Sequence, residues 1–434
     1  MKSSNRIDSS LNLGKIVRGG LLAVFAWAAI VSLPGVSLAQ SRDPISQVLN
    51  GASSEWSDGF DSASSGTQDV RTNTPILSAE IVNALQSAIA QYSDIVARGG
   101  WPAVPAGKTL SLGVRDSAVV ALRQRLAISG DLERTAGLSE AFDSYVDAAV
   151  RRFQARHGIP VDGVVGESTL NALNVSAGVR LTQLSTNLTR LKSLTASLPE
   201  RFVMVNIPAA AVEAVENGRV VSRHTAVVGK VDRPSPIVNS KIHEVNFHPF
   251  WTVPESIIRR DLIPLMQKDP EYLTRQKIRI YDPAGNPLAP EQVNWTTDEA
   301  SKYMLRQDPG DFNSLGLVKI NFPSPDGVYM HDTPNKGLFN NEFRFDSSGC
   351  VRIQNIRELI IWLLRDEPEW TRQAIDTEFR SYERRDVKIS RPVQLYWTYI
   401  TAWAATEGVV QFRNDIYNLD GLDLYVAQQT QIPL

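Results

Sequence analysis

The chain has 434 residues, 43% of them hydrophobic and 21% charged, with 45 Lys and Arg against 47 Asp and Glu. This near-neutral balance excludes the basic stripe of a nucleic-acid binder, and the length allows about two to four domains. The single cysteine, Cys350, excludes an internal disulfide, so the folded parts must hold by core packing.

Residues 1–39 read as a signal peptide. Lys2, Arg6, Lys15 and Arg18 form a basic start and Gly19–Val31 an apolar run. Pro34 breaks that run, and Ser37-Leu38-Ala39 offers small residues before Gln40. No charge occurs from Gly19 to Ser41, so a retained segment would approach spanning length and anchor the chain in a membrane. The proline and the small-x-small site favour cleavage. Cleavage takes the basic and acidic counts from 45 and 47 to 41 and 46, a net charge of −5. The expectation is an exported protein.

Residues 40–72 are rich in Ser, Asp, Gly and Gln and read as a flexible linker. Ile81, Leu85, Ile89, Tyr92, Ile95 and Val96 follow helical spacing up to Gly99-Gly100, placing a helical scaffold in 73–109. A compact helical unit follows in 110–175. Asp116 can cap a helix bearing Val119, Leu122 and Leu126. A second helix carries Val146, Ala149, Val150 and Phe153 and ends at Gly158. The turn Asp162-Gly163-Val164-Val165-Gly166 leads into a short third through Leu170 and Leu173. Leu181–Leu198, within a scaffold segment 176–200, is a further amphipathic helix closed by Pro199.

From Arg201 the pattern changes to alternation. Phe202–Ile207, Arg219–Gly229, Ile242–Phe247, Leu317–Phe322 and Gly327–Asp332 read as strands of a β-rich domain over 201–390. About 255–311 is too long for a plain loop and is expected to cover or gate a site. Ile356–Arg365 reads as a helix with Gln354 or Asn355 near its start, and Val393–Trp403 as a last strand in a C-terminal segment, 391–434. The fold class is α+β, multidomain.

A lone cysteine is by default a small buried hydrophobe. Ser347-Ser348-Gly349-Cys350-Val351-Arg352 argues otherwise. Gly349 lets a substrate carbonyl approach the backbone, Arg352 supplies a nearby cation, and the polar setting suits a nucleophile. A thiol is mostly protonated at neutral pH and needs a base. His331, nineteen residues earlier on a strand ending in a polar turn, is the best of five histidines. Two turns at one sheet end can bring imidazole and thiol into hydrogen-bond reach. Backbone N–H groups around Gly349 and Cys350 can form an oxyanion hole. Tyr329, on the same strand face as His331, can supply a hydroxyl, and Arg352 can pair with a substrate carboxylate.

Other chemistries fit less well. No Ser has Lys three residues later, which removes the serine penicillin-target pattern. His243 and His248 sit five apart on a strand-like segment, the wrong spacing for a helical zinc pair. Trp251 and Trp362 read as core or cleft wall.

The pairing of Met330-His331-Asp332-Thr333 with Ser347-Ser348-Gly349-Cys350-Val351-Arg352 resembles the signature of the L,D-transpeptidases of bacterial peptidoglycan, in which a His precedes a Ser/Thr-His-Gly-Cys element. Ser348 stands where that element has its usual histidine, similar to the large subgroup with a peptidoglycan-binding domain and a capping insertion. Val205-Asn206-Ile207-Pro208, Val228-Gly229-Lys230, Asn246 to Trp251 and Gln411-Phe412-Arg413 extend the resemblance over about 76–425. The stretch at about 110–175, with Phe153-Gln154, the Asp-Gly-x-x-Gly turn, Thr169 and Ala172-Leu173, resembles the three-helix peptidoglycan-binding domain of exported cell-wall enzymes.

The resemblance implies a periplasmic cysteine acyltransferase with Cys350 as nucleophile, His331 as base, and Gly349 in the oxyanion hole. Tyr329, Ser348, Arg352 and Trp251 are candidate oxyanion or substrate contacts. It implies no cofactor and no metal. The thiolate would attack residue three of a tetrapeptide stem, normally meso-diaminopimelate, and expel D-Ala. A neighbouring side-chain amine would resolve the thioester into a 3→3 cross-link. Hydrolysis instead would make an L,D-carboxypeptidase, and a protein acceptor an anchoring enzyme. The implied partners are peptidoglycan stems and other wall-synthesis enzymes. The non-enzymatic alternative is an inert wall-binding scaffold.

Overall fold

The computed structural model describes residues 72–405 and 408–422. The segment 1–39 that reads as a signal peptide, nearly all of the segment 40–72 that reads as a linker, and the end of the C-terminal tail lie outside the described residues. Among the described residues no helix is long and apolar enough to cross a membrane.

Helix α1 (Ala79–Ala97) begins where the Ser78 hydroxyl accepts the Ile81 N–H, and it buries Ile81, Leu85, Ala88 and Tyr92. The three-helix unit comprises α2 (Ala118–Ile128), α3 (Ser144–His157) and α4 (Glu167–Asn174). Asp116 does cap, accepting the Ala118 N–H at 2.9 Å. Val119, Leu122, Leu126, Val150, Phe153 and Leu173 form the unit's own core. Helix α3 stops at Gly158, whose φ of +63° is left-handed, and a Cβ there would lie 2.6 Å from Arg413 Nε. Helix α5 (Ala177–Thr195) packs with α1 against a second core that includes Phe202, Met204, Trp403 and Phe412.

The catalytic half is a closed sheet. Its strands are β1 (Arg201–Asn206), β2 (Ala211–Glu216), β3 (Arg219–Gly229), β4 (Val238–Phe247), β9 (Val318–Asn321), β10 (Met330–His331), β11 (Phe345–Ser347), β12 (Val351–Ile353) and β13 (Arg385–Thr398), with β5 to β8 in the insertion. The order is β11-β3-β12-β10-β9-β4-β13-β1-β2, and a further β2–β3 pairing closes the ring. Alternation sends Val203, Val205, Val245, Ile320, Met330, Val351 and Trp397 into one core. Each such side chain contributes about 1.5–3 kcal/mol. A disulfide contributes about 2–4 kcal/mol, so two or three of them replace the bridge that a single cysteine cannot make.

Three expectations change. Strand β2 went unread, because Ala211-Val212-Glu213-Ala214 carries a glutamate at a buried position. Glu213 is tolerated there because it accepts the Ile76 N–H at 3.0 Å and pairs with Arg223. No boundary falls at 390, since β13 runs through it and pairs with both β1 and β4. The insertion begins before 255. Its four-stranded sheet has the order β5-β8-β6-β7, with β5 at Trp251–Thr252, β6 at Ile278–Tyr281, β7 at Pro287–Leu288 and β8 at Met304–Gln307. This lobe has a core of its own, including Val253, Ile258, Leu262, Leu273, Ile280 and Leu305.

Candidate active site

Strand register builds the site. Since Met330, Val351, Ile320 and Val245 point into the core, their neighbours along each strand must point out. Arg352, His331, Lys319, Asn246 and Asp386 therefore form one row across β12, β10, β9, β4 and β13. Cys350 and Tyr329 lie one step further along β12 and β10, where the Val351 N–H donates to the Tyr329 carbonyl at 3.1 Å. Polar residues two apart along β12 and β10 thus converge on one face with Lys319.

Cys350 is half-buried. The Tyr329 backbone N–H and hydroxyl both pull its thiol toward the thiolate. The Tyr329 hydroxyl also accepts the Trp251 indole N–H at 3.1 Å, which ties β5 of the inserted lobe to the thiol. Lys319 places its ammonium 4.3 Å from the Tyr329 ring centroid. Asn246 holds the Glu244 and Asp386 carboxylates at 2.9 and 2.7 Å, and their charge acts on Lys319.

His331 is buried, and its Nδ1 bonds the Asp332 carbonyl. A carbonyl only accepts, so Nδ1 carries the proton and Nε2 keeps a lone pair, the tautomer a base requires. Burial, then the charges of Arg352 and Lys319, push His331 down to about 3, so the ring is neutral. Burial pushes the Cys350 thiol up, opposed by Tyr329, Lys319 and Arg352. Thiol and imidazole are both neutral at rest, and the proton must leave sulfur as attack begins.

The expected direct hydrogen bond between imidazole and thiol is not made. The parallel register sets His331 beside Arg352 and leaves Cys350 beside Tyr329, so the imidazole and the thiol are diagonal neighbours. Tyr329 fills the corner, its ring 5.7 Å from the His331 ring and nearly edge-on.

Gly349 adopts φ +112°, a conformation only glycine takes readily. Its own N–H is occupied by the Ser347 hydroxyl at 3.2 Å, which corrects its expected part as a donor. The Cys350 N–H has no partner among the described residues. Ser348 is exposed and accepts from Arg233 at 3.1 Å, and Arg233 also grips Asp261 of the inserted lobe at 2.5 and 2.9 Å. Arg352 is half-buried with its Nε unbonded, close enough to Asp346 to feel its charge. Trp251 packs on the core of the inserted lobe and donates to Tyr329, whereas Trp362 belongs to the barrel core. His248 gives its Nε2 to the Glu378 carbonyl at 2.9 Å, and no cluster of metal-ligating side chains occurs among the described residues.

Lys319 and Arg233 escaped the sequence reading. The alternation Val318-Lys319-Ile320-Asn321 was the available signal for Lys319, since it matches Tyr329-Met330-His331 in phase. Arg233 had none, because its partners are 28 and 115 residues away.

Residues 200–377 match the L,D-transpeptidase catalytic domain, and residues 115–173 match a family described as "Putative peptidoglycan binding domain". A Haemophilus influenzae protein named "Putative L,D-transpeptidase" is 37% identical over 221 residues, covering 50% of this chain and 44% of that protein. An N-acetylmuramoyl-L-alanine amidase of Mycobacterium tuberculosis is 41% identical over 75 residues, 15% of this chain and 18% of the amidase. The chain thus spans less than half the length of these relatives. An L,D-transpeptidase structure from Stackebrandtia nassauensis aligns at 13% identity over 68% of this chain and 96% of that one, with a TM-score of 0.24.

Proposed function

From a chain that carries an L,D-transpeptidase catalytic domain at residues 200–377 and a peptidoglycan-binding domain at 115–173, we propose that the protein is an exported cysteine acyltransferase that forms 3→3 cross-links between tetrapeptide stems. The observation that carries this reading is the convergence of Cys350, Tyr329, His331 and Lys319 on one polar barrel face beside the inserted lobe. Cys350 also packs against the apolar barrel core, so what sets it apart from a structural cysteine is this polar company.

The chemistry follows from the resting state. When a stem occupies the cleft, rotation about χ1 turns the thiol from Tyr329 toward His331 Nε2, which takes its proton. The sulfur attacks the carbonyl carbon of stem residue three, a C–S bond forms, and the carbonyl electrons move to oxygen. The intermediate collapses, the C–N bond to D-Ala breaks, and His331 returns the proton to the departing amine. An acceptor amine then repeats the sequence in reverse, restoring the thiol and leaving an amide. Arg352 is a candidate partner for a stem carboxylate. The inserted lobe, tied down by Asp261–Arg233 and Trp251–Tyr329, acts as a cap that excludes water while the thioester waits.

Water in place of an amine would make the same site an L,D-carboxypeptidase. Incubating the mature chain with disaccharide-tetrapeptide and reading products by mass spectrometry decides the matter. A dimer lacking one D-Ala is expected; tripeptide alone would replace cross-linking by hydrolysis, and unchanged substrate would leave the wall-binding scaffold.

A further inference from the structure

Ser235 lies in the turn between β3 and β4 and is buried. Its hydroxyl accepts the Gly229 N–H at 2.9 Å and donates to the Gly349 carbonyl at 2.8 Å. Those directions are forced, because a backbone N–H only donates and a carbonyl only accepts. The Ser235 N–H donates in turn to the Tyr417 hydroxyl oxygen at 3.2 Å, and that hydroxyl donates to the Gly229 carbonyl at 2.6 Å. Tyr417 is itself held, since its N–H donates to the Tyr399 hydroxyl at 2.8 Å and that hydroxyl donates to buried Asp415 at 2.7 Å. The clasp is tight: a Cβ on Gly229 would lie 2.3 Å from the Arg233 carbonyl oxygen and 2.5 Å from the Ser235 nitrogen.

We propose that Ser235, braced by Tyr417, is a positioning residue that aims the Cys350 backbone N–H as the oxyanion donor. The Gly349–Cys350 peptide is planar and trans, so its carbonyl and its N–H point in opposite directions. Fixing the carbonyl on Ser235 fixes the N–H on the other side, beside the sulfur of the same residue. Gly349 cannot share the task, with its own N–H on Ser347. The φ of +112° at Gly349 supplies the turn that makes this orientation reachable, and the Ser235 bond selects it. The brace comes from beyond the matched catalytic domain, which ends at 377. The C-terminal segment therefore completes the site without touching substrate.

This inference rests on the acyl-transfer reading, and the test separates the two. Attack on a carbonyl builds an oxyanion, whereas alkylation at a saturated carbon does not. The full mature chain is treated with iodoacetamide and, separately, with a carbapenem, and both rates are followed by intact mass. Ser235→Ala should lower acylation by ~10–10²-fold, short of the full loss of a donor, with alkylation within about twofold of wild type. Tyr417→Phe should shift acylation in the same direction by a smaller factor, and it keeps the test open should Ser235→Ala fail to fold. Unchanged acylation in a folded variant overturns the clamp. So does an equal fall in both rates, which would mark Ser235 as merely structural. Carbapenem adducts mapping away from Cys350 in the wild type would overturn the acyl-transfer reading itself.

Discussion

In the three-helix unit Gln154 donates to Asp162 at 2.7 Å, Val164 at 2.9 Å and Thr169 at 3.1 Å, and accepts the Gly163 N–H at 2.9 Å. Arg156 and Asp131 likewise close on each other, both buried. On the outer face of the barrel the polar groups stay open: the Cys350 N–H and the His331 Nε2 have no partner among the described residues. Both regions hold buried histidines bonded through Nδ1 to a carbonyl, yet His157 is sandwiched between Phe153 and Phe412 while His331 faces a phenol. His157 Nε2 and Arg125 Nη1 are unbonded too, so an open bond alone marks no site: the rings stacked on His157 close its surroundings, whereas the open groups of the barrel face stand beside a thiol.

That contrast breaks most sharply at the proposed nucleophile. Cys350→Ala should abolish dimer formation while leaving thermal unfolding close to wild type, as one small side chain replaces another; residual cross-linking at near wild-type rate would end the thioester mechanism. The opposite signature belongs to the helical unit. Asp131→Ala strands the Arg156 charge and should cost about 3–5 kcal/mol of stability, read by denaturant unfolding, with the activity of the folded fraction preserved. His331→Ala should fall between them, lowering carbapenem acylation by at least ~10²-fold at unchanged stability.

Acid should act on both regions together. The neutral form of His331 is favoured down to about 3, and that of His157 well below its ordinary 6.5. Below pH 6.5 the unfolded chain takes up protons that the folded chain refuses, so stability falls with pH. The slope is roughly 1.4 kcal/mol per pH unit for each group. Denaturant midpoints between pH 6.5 and 5 should show this slope, and His157→Phe should roughly halve it. The acylation rate should show no acid limb from His331 over the same range. The smallest effect sharpens the electrostatics: Lys319→Met should slow alkylation of Cys350 at pH 7 by ~3–10-fold, since the thiol loses a favourable charge. Lys319→Arg should restore it.

Much of the fold was legible because alternation and periodicity are local. The β3, β4 and β9 strands, the cap at Asp116 and the stop at Gly158 follow from side chains within a few residues of each other. Glu213 hid β2, since its partners Ile76 and Arg223 are remote or on another strand. Cys350 and His331 were legible as a pair from the motif they share, and so was Tyr329 from its phase with His331.

The sequence by itself determined which residues are proposed to bear chemistry, since a lone thiol, a histidine on a strand and a glycine beside the thiol are fixed by identity and short spacing. Tertiary structure alone decided how they meet. The parallel register of β10 and β12 put Cys350 against Tyr329 and held His331 one pair away. The antiparallel pairing of β9 with β10 brought Lys319 onto the same face. Ser235 and Tyr417, 182 residues apart, joined behind Gly349. Hydrogen-bond partners separated by such distances leave no periodic trace in a chain, because what selects them is the path of the folded backbone.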